Sequence, residues 1–539
     1  MEWFETWGVT LTVFLPLVGA LLLGFISKEN ENALKTTALV ASVLAFVASL
    51  VLIGQFDFSG GVYNTYQFEV SETWIGAINA NYHVGIDGIS LPMLVLSTFV
   101  MVLAVIYSWN HWDEPKNPKA FLILMMILAT GMNGTFVALD LVLFFIFFEV
   151  VLLPMYFMIG IWGDKTPRKV PGFAKEFETR LYASIKFFLF TLFGSAFMLL
   201  GFLALYFESG KFGERTFDIP RLTELGASGA FSGTFAFLVF GAILLGFAVK
   251  VPMFPFHTWL PDAHTAAPTV GSVLLAAILL KLGSYGFIRI SLPILPGEAV
   301  SWAPFIAILA VIGIIYGSLA CLAQRDMKRL IAFSSVGHMG FVMLGIATLT
   351  DIGINAAIIG MVAHGLITGL LFFLAGSMHH RYETREMARL GGNIKLMPVM
   401  GGILAFTAMA SLGLPGLAGF WGEFMTLVSS YNPLPGLSLG VFRSAMVIGA
   451  IGTVLTAGYM LWMLQRVNLG EPNAEWEGKE FHDVDRFELA AWVPLIVLIV
   501  VIGFFPKIIF SSTTDVVTSL VDMAFNPDTT ASIASQIGG

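Results

Sequence analysis

The chain has 539 residues, 57% of them hydrophobic and only 12% charged; a soluble domain carries about 25% charged residues, so this is an integral membrane protein. The net charge of −8 includes only 28 Lys and Arg, too sparse for a nucleic-acid surface. A single cysteine, Cys321, excludes an internal disulfide or an iron–sulfur cluster held by this chain, and reads as a small core residue.

A membrane crossing needs about 20 mainly apolar residues. In chain order such stretches fall at 8–26, 33–54, 88–109, 119–138, 141–162, 181–206, 231–258, 268–291, 302–323, 330–349, 353–378, 396–428, 440–465 and 488–510, which predicts 14 spans. No Lys or Arg precedes Lys28, so the first span lacks the basic flank of a signal peptide and is expected to stay. The loops are short, and none is long enough to form a nucleotide-binding domain. No GxGxxG after a strand, GxxxxGK[ST], CxxC or HExxH occurs.

Ionisable residues inside spans are the main functional signal in a membrane protein. The fifth span carries Glu149 in FFIFFEVVLLPMYF, and the sixth carries Lys186 in YASIKFFLF. The seventh carries Lys250 in GFAVKVPMFPFH, followed at once by Pro252 and Pro255. The eighth carries Lys281 in AAILLKLGSYG, with Arg289 near its end. His338 lies in the tenth span, His364 in the eleventh and Glu423 in the twelfth, within SLGLPGLAGFWGEF. The bland alternatives are static helix pairing, buried hydrogen-bonded histidines, and long side chains that reach the interface. The last suits Arg289, and Lys186 is open to either reading. Glu149, Lys250, Lys281 and Glu423 sit near mid-span, where such a reach is long and an unused charge is costly. Proton transfer is the simplest use. Burial disfavours the charged form of a lysine or carboxylate and an opposite charge restores it, so a Glu–Lys pair of variable separation takes up and releases a proton. Imidazoles suit the positions between such pairs.

The prolines fit the same reading. A helix break frees backbone groups that are tolerated only where protein or a water-filled cavity satisfies them, and transporters place such breaks at ion sites. One break is expected around Pro252 and Pro255. A second is expected around Gly413, Pro415, Gly416 and Gly419. If five-helix units run over spans 4–8 and 9–13, both breaks fall in the fourth span of a unit, and the odd number inverts one unit relative to the other. The expected fold is all-α and polytopic. Residues 1–118 hold spans 1–3 and an outside loop, 119–291 the first inverted repeat, 302–465 the second, and 466–539 the last helix and an outside tail. His257, Asp262 and His264 pose a metal question, but their spacing is loose for zinc and no metal site is expected.

Of the 28 Lys and Arg, 19 lie in one alternating set of loops and 5 on the other side. The basic set is therefore expected to be cytoplasmic, with both termini outside.

The segment KVPMFPFHTWLPDAHTAAPTVGSVLLAAILLKLGSYG is similar to the hallmark of the antiporter-like membrane subunits of respiratory NADH:quinone oxidoreductase (complex I). That family also includes subunits of multi-subunit Na+/H+ antiporters and membrane-bound hydrogenases. The likeness runs from about residue 85 to about 465. FEVVLLPMYFMIGIWG, RLIAFSSVGHMGFVMLGI and LPGLAGFWGEF resemble the subunit M branch, in which the second broken helix carries a glutamate, here Glu423, and not a lysine. The absence of a long lateral helix after span 14 is expected to set the chain apart from subunit L. The resemblance implies that Glu149 modulates Lys250, that Lys281, His338 and His364 connect the halves, and that Glu423 exchanges protons with the outside. It implies redox-driven proton pumping in a bacterial cytoplasmic membrane. NADH, FMN, iron–sulfur clusters and quinone would be bound by other subunits, and paralogous antiporter-like subunits would be neighbours in the bilayer. The alternatives are a cation/proton antiporter or hydrogenase subunit, and an inactive scaffold.

Overall fold

The computed structural model describes residues 2–59, 61–113, 115–169 and 176–526, with side chains from Phe4 onward. The last 13 residues of the expected tail lie outside the described residues. Among the described residues, 14 helices are long and apolar enough to cross a membrane. Thirteen match expected spans: Phe4–Phe25, Glu31–Gln55, Ser90–Tyr107, Pro118–Val137, Leu141–Trp162, Thr179–Ser209, Gly233–Lys250, Thr269–Ile294, Pro296–Leu322, Met327–Ala347, Asp351–Tyr382, Leu439–Val467 and Arg486–Phe504.

The number agrees with expectation, but the membership differs in one place. The twelfth span is interrupted, as Pro398–Ser411 and Gly419–Tyr431, and is too short in either piece to count. The fourteenth long helix is Lys507–Phe525, in the stretch expected to be tail. Its neighbours place it. Tyr63 N donates to Ser519 Oγ (3.0 Å), Thr513 Oγ1 donates to Asn355 Oδ1 (2.6 Å), and the backbone at Gly88 lies directly against the Ser512 carbonyl. Tyr63 precedes the third span, Gly88 begins it, and Asn355 lies in the first turn of the eleventh. All three are at one end of the bundle, so this helix lies across that end, and the interrupted span makes up the fourteenth crossing.

The same end carries an antiparallel hairpin, Gln67–Ile75 with Ala80–Ile86, in the stretch expected to be a plain loop. His83 joins it to the helix Ile219–Ala227: Nδ1 meets Asp218 Oδ2 at 2.6 Å, and Nε2 meets Glu69 Oε1 at 2.7 Å. Arg289 does not reach for the interface as expected. It is 1% exposed, paired with Asp87 at 2.6 Å, and surrounded by the rings of Tyr63, Tyr66 and Tyr285. An ion with that many partners is held inside protein, because moving it to lipid headgroups would leave Asp87 uncompensated.

Burial ranks the spans. The apolar window of the eighth is entirely buried and those of the tenth and eleventh are 94% buried, against 39% for the second, sixth and thirteenth. These three central spans carry Lys281, His338 and His364. The eighth is also irregular, with widened π turns at Leu275–Leu279 and Phe287–Ser291 on either side of Lys281; such turns are frequent at functional sites.

Candidate functional site: a chain of buried ionisable groups

Both expected breaks are present. Gly233–Lys250 stops at Lys250, and the chain runs irregularly through Val251–Pro255 before a new helix at Trp259–Ala266. The freed backbone groups are satisfied within the protein. Trp259 Nε1 donates to the Val249 carbonyl (2.9 Å), and Met253 N donates to Ala248 O (2.9 Å). Lys250 is thus the last helical residue above a break, 2% exposed, its ammonium 4.6 Å from the centroid of the Phe148 ring. Gly283 in the eighth span lets this corner approach, since a Cβ there would lie 2.7 Å from Val251 and 3.0 Å from the Lys250 Cβ. The break is therefore seated two residues from Lys281.

Glu149 is half-buried one residue from the end of Leu141–Val150, where the fifth span kinks before resuming at Leu152. It is in electrostatic range of Lys250 but not in ion-pair contact, and Ser195 lies beside it.

The second half is joined more closely. Lys281 Nζ contacts the Ala276 carbonyl in the widened turn and meets His364 Nδ1 at 2.6 Å. The His364 and His338 rings are edge to face, with centroids 5.6 Å apart. His338 Nδ1 donates to Glu423 Oε1 at 2.9 Å, and Ser411 Oγ lies 3.2 Å from Nε2. A cavity of about 30 Å³ sits among His338, His364, Ser411 and Glu423, room for about one water molecule. His364 Nε2 has no hydrogen-bond partner within the protein. Glu423 and Ser411 flank the second break, where Gly413 (φ +79°) and Gly416 (φ +93°) take the left-handed conformation that glycine adopts without steric cost. The break is held by Ala418 N donating to Ile499 O (3.0 Å) and by Trp421 Nε1 donating to Gly503 O (2.8 Å).

The structure therefore brings together Lys281, His364, His338 and Glu423 in one contiguous line, and sets Lys250 and Glu149 beside it. Lys186 stands apart. Its ammonium is 2.8 Å from Asp262 Oδ2; Arg168 Nη1 donates to Oδ1 (2.6 Å), and Arg329 is 3.7 Å away. Asp262 was read in the sequence only as part of a loose metal question. It anchors three cations, and the signal that could have marked it is an acid with no Lys or Arg in its own half-helix. His257 lies between the rings of Phe254 and Tyr316, while His264 stacks on Phe372, so these three residues do not converge. His111, Asp485 and Glu488 lie close enough for a metal to join them, but Arg381 already donates to both Glu488 oxygens, at 2.8 and 2.7 Å.

Comparison with known proteins finds relatives over nearly the whole chain. Residues 138–449 match the family described as NADH:quinone oxidoreductase/Mrp antiporter, and residues 10–135 match the amino terminus of NADH-ubiquinone oxidoreductase chain 4. NADH-quinone oxidoreductase subunit M of Rickettsia prowazekii is 39% identical over 510 residues, 93% of this chain and 96% of its own. The subunit M of Rhodobacter capsulatus is 40% identical over 515 residues, covering 93% and 94%. A chain of respiratory complex I from Thermus thermophilus superposes with a TM-score of 0.82 at 26% identity, covering 96% of this chain and 99% of that one. A chain of the Mrp complex from Dietzia shares the fold, with a TM-score of 0.80 at 19% identity over 98% of this chain and 99% of its own. The chain belongs to the NADH:quinone oxidoreductase/Mrp antiporter family of multi-pass membrane proteins, as a subunit M of NADH-quinone oxidoreductase.

Proposed function

We propose that protons cross the membrane arm within this chain along Glu149, Lys250, Lys281, His364, His338 and Glu423, driven by quinone reduction elsewhere in the complex. The observation that carries the reading is the contiguous run from Lys281 through the two histidines to Glu423, carried on the central spans of the bundle and the broken twelfth. When Glu149 approaches Lys250, the ammonium form is favoured and the amine takes up a proton. When Glu149 withdraws, burial favours the neutral amine and the proton moves toward Lys281. Lys281 gives a proton to His364 Nδ1. The proton on the other ring nitrogen, Nε2, then crosses the small cavity to His338, which passes one to Glu423. The breaks in spans 7 and 12 supply hydration and backbone dipoles where these charges change.

On this reading the basic loops face the cytoplasm of a bacterial cell, and the hairpin, both termini and the helix Lys507–Phe525 face outside. Residues 119–291 and 302–465 act as two inverted halves, flanked by 1–118 and 466–539. The other complex I subunits are the partners. Those next to this chain in the bilayer are paralogous antiporter-like subunits, and the flavin, iron–sulfur clusters, NADH and quinone belong to further subunits. The test is proton uptake by proteoliposomes holding the whole complex during NADH oxidation. Lys250→Ala and Glu423→Gln should each lower pumping at least fivefold in assembled complex. Normal pumping by both variants refutes the relay. Na+-dependent exchange without NADH oxidation would assign the chain to antiport.

A further inference from the structure

An apolar cavity of about 570 Å³ lies between the second, third and eleventh spans and the span Arg486–Phe504. Its floor is Leu96, Val362 and Leu366, each at most 5% exposed. Its mouth, at Leu50, Val493 and Val497, is 44–50% exposed and opens sideways to the bilayer. Its roof is the helix Lys507–Phe525, through Ile508, Ile509 and Ser512. The lining runs down Arg486–Phe504 from Ile502 to Val493, about 14 Å at 1.5 Å per residue. That is the depth of one leaflet, half of a hydrocarbon core roughly 30 Å thick. A crossing helix of a neighbouring subunit needs a groove along the full thickness, and this one stops at mid-membrane. Packed proteins leave few voids larger than a water molecule, so a space of this size is occupied in the bilayer. Lys507 is exposed at the first position of the roof helix, next to Ile508 in the lining. A helix lying across the end of the bundle holds its lysine at the level of the headgroups, where a basic side chain attracts a lipid phosphate.

We infer that this cavity seats an acyl chain of one anionic phospholipid from the leaflet on the hairpin side, with the lipid phosphate on Lys507. The tail lies against the back of the eleventh span, where Val362 and Leu366 flank His364. Leu96 closes the floor against Gly365, where a Cβ would lie 2.9 Å from Leu96 Cδ2 and 3.0 Å from the Ala277 carbonyl in the widened turn of the eighth span. An apolar tail in this place keeps water from the back of the helix that carries His364. The seat holds whether or not the relay carries protons.

The test uses the whole complex in vesicles of phosphatidylethanolamine and phosphatidylglycerol, with a trace of phosphatidylglycerol carrying a photoreactive diazirine at the end of one tail. The complex is re-extracted in detergent to strip loosely held lipid, then illuminated, and the labelled peptides are mapped. Label should appear at residues 91–99 and 362–366, which bulk lipid does not reach. Val497→Trp, which narrows the mouth, and Lys507→Glu, which repels the phosphate, should each lower that label at least threefold. Labelling of the exposed face of the sixth span in intact vesicles should not change in either variant. Absence of label from 91–99 and 362–366 overturns the inference, and so does full labelling in Lys507→Glu. Loss of the label on adding a long-tailed quinone, but not on adding unlabelled phosphatidylglycerol, assigns the cavity to a quinone tail and also overturns it. If Val497→Trp does not assemble, Lys507→Glu decides: loss of label supports the seat and retention overturns it.

Discussion

At the scale of single residues, the candidate relay was legible because a charge amid apolar residues has few cheap explanations. Glu149, Lys250, Lys281, His338, His364 and Glu423 each stood out for that reason. What the sequence could not give was distance. It does not tell that Lys281 and His364 touch while Glu149 and Lys250 interact only at a distance. The open spacing of the latter pair leads to a prediction. If Glu149 acts by tuning Lys250, Glu149→Gln should lower pumping on its own but cost little further in a Lys250→Met background, and a double-mutant cycle on the two measures that coupling directly. Asp262 was illegible because its partners come from three distant segments. Asp262→Asn leaves Lys186 without its carboxylate and should cost about 3 kcal/mol, the low end for a broken buried pair, since Arg168 and Arg329 keep partial solvent contact. The unfolding temperature of the complex in detergent reads this, and adding Lys186→Met should recover part of the loss.

At the scale of elements, both broken helices were legible from Pro and Gly beside a charge. Gly416 takes φ +93° and packs against the Phe504 ring. Gly416→Ala should destabilise by about 1–2 kcal/mol, seen as a lower unfolding temperature, and should reduce pumping by displacing Glu423. The hairpin at 67–86 escapes a sequence reading, although Phe68 and Val70, and Ala80, Tyr82, Val84 and Ile86, alternate with mostly polar residues; a short polar stretch between two long apolar spans reads as a connecting loop. Its docking depends on His83. Burial disfavours the imidazolium, but Asp218, then Glu69, outweigh that and raise its pKa above the ordinary value. A raised folded pKa stabilises fully below about 6.5, and the stabilisation is lost as pH rises through the folded value. Hydrogen exchange over residues 67–86 should therefore accelerate from pH 6 to pH 9 beyond its intrinsic rise, and His83→Gln should abolish that excess.

At the scale of the whole molecule, hydropathy and charge bias gave the number of spans, but they could not tell a crossing helix from one lying across the end. Lys507–Phe525 is long and apolar enough for either, and only its contacts with Gly88, Tyr63 and Asn355 separate the two. The Asp262 cluster has a mechanical consequence at this scale. Its cations come from the loop at Arg168, the sixth span at Lys186 and the tenth span at Arg329, so Trp259–Ala266 is bolted to three separate segments of the protein. A lever bolted at one end swings at the other. A stroke that carries Lys250 toward or away from Glu149 flexes at Val251–Pro255, with Lys250 riding on the free arm and the His264 end standing still as the fulcrum.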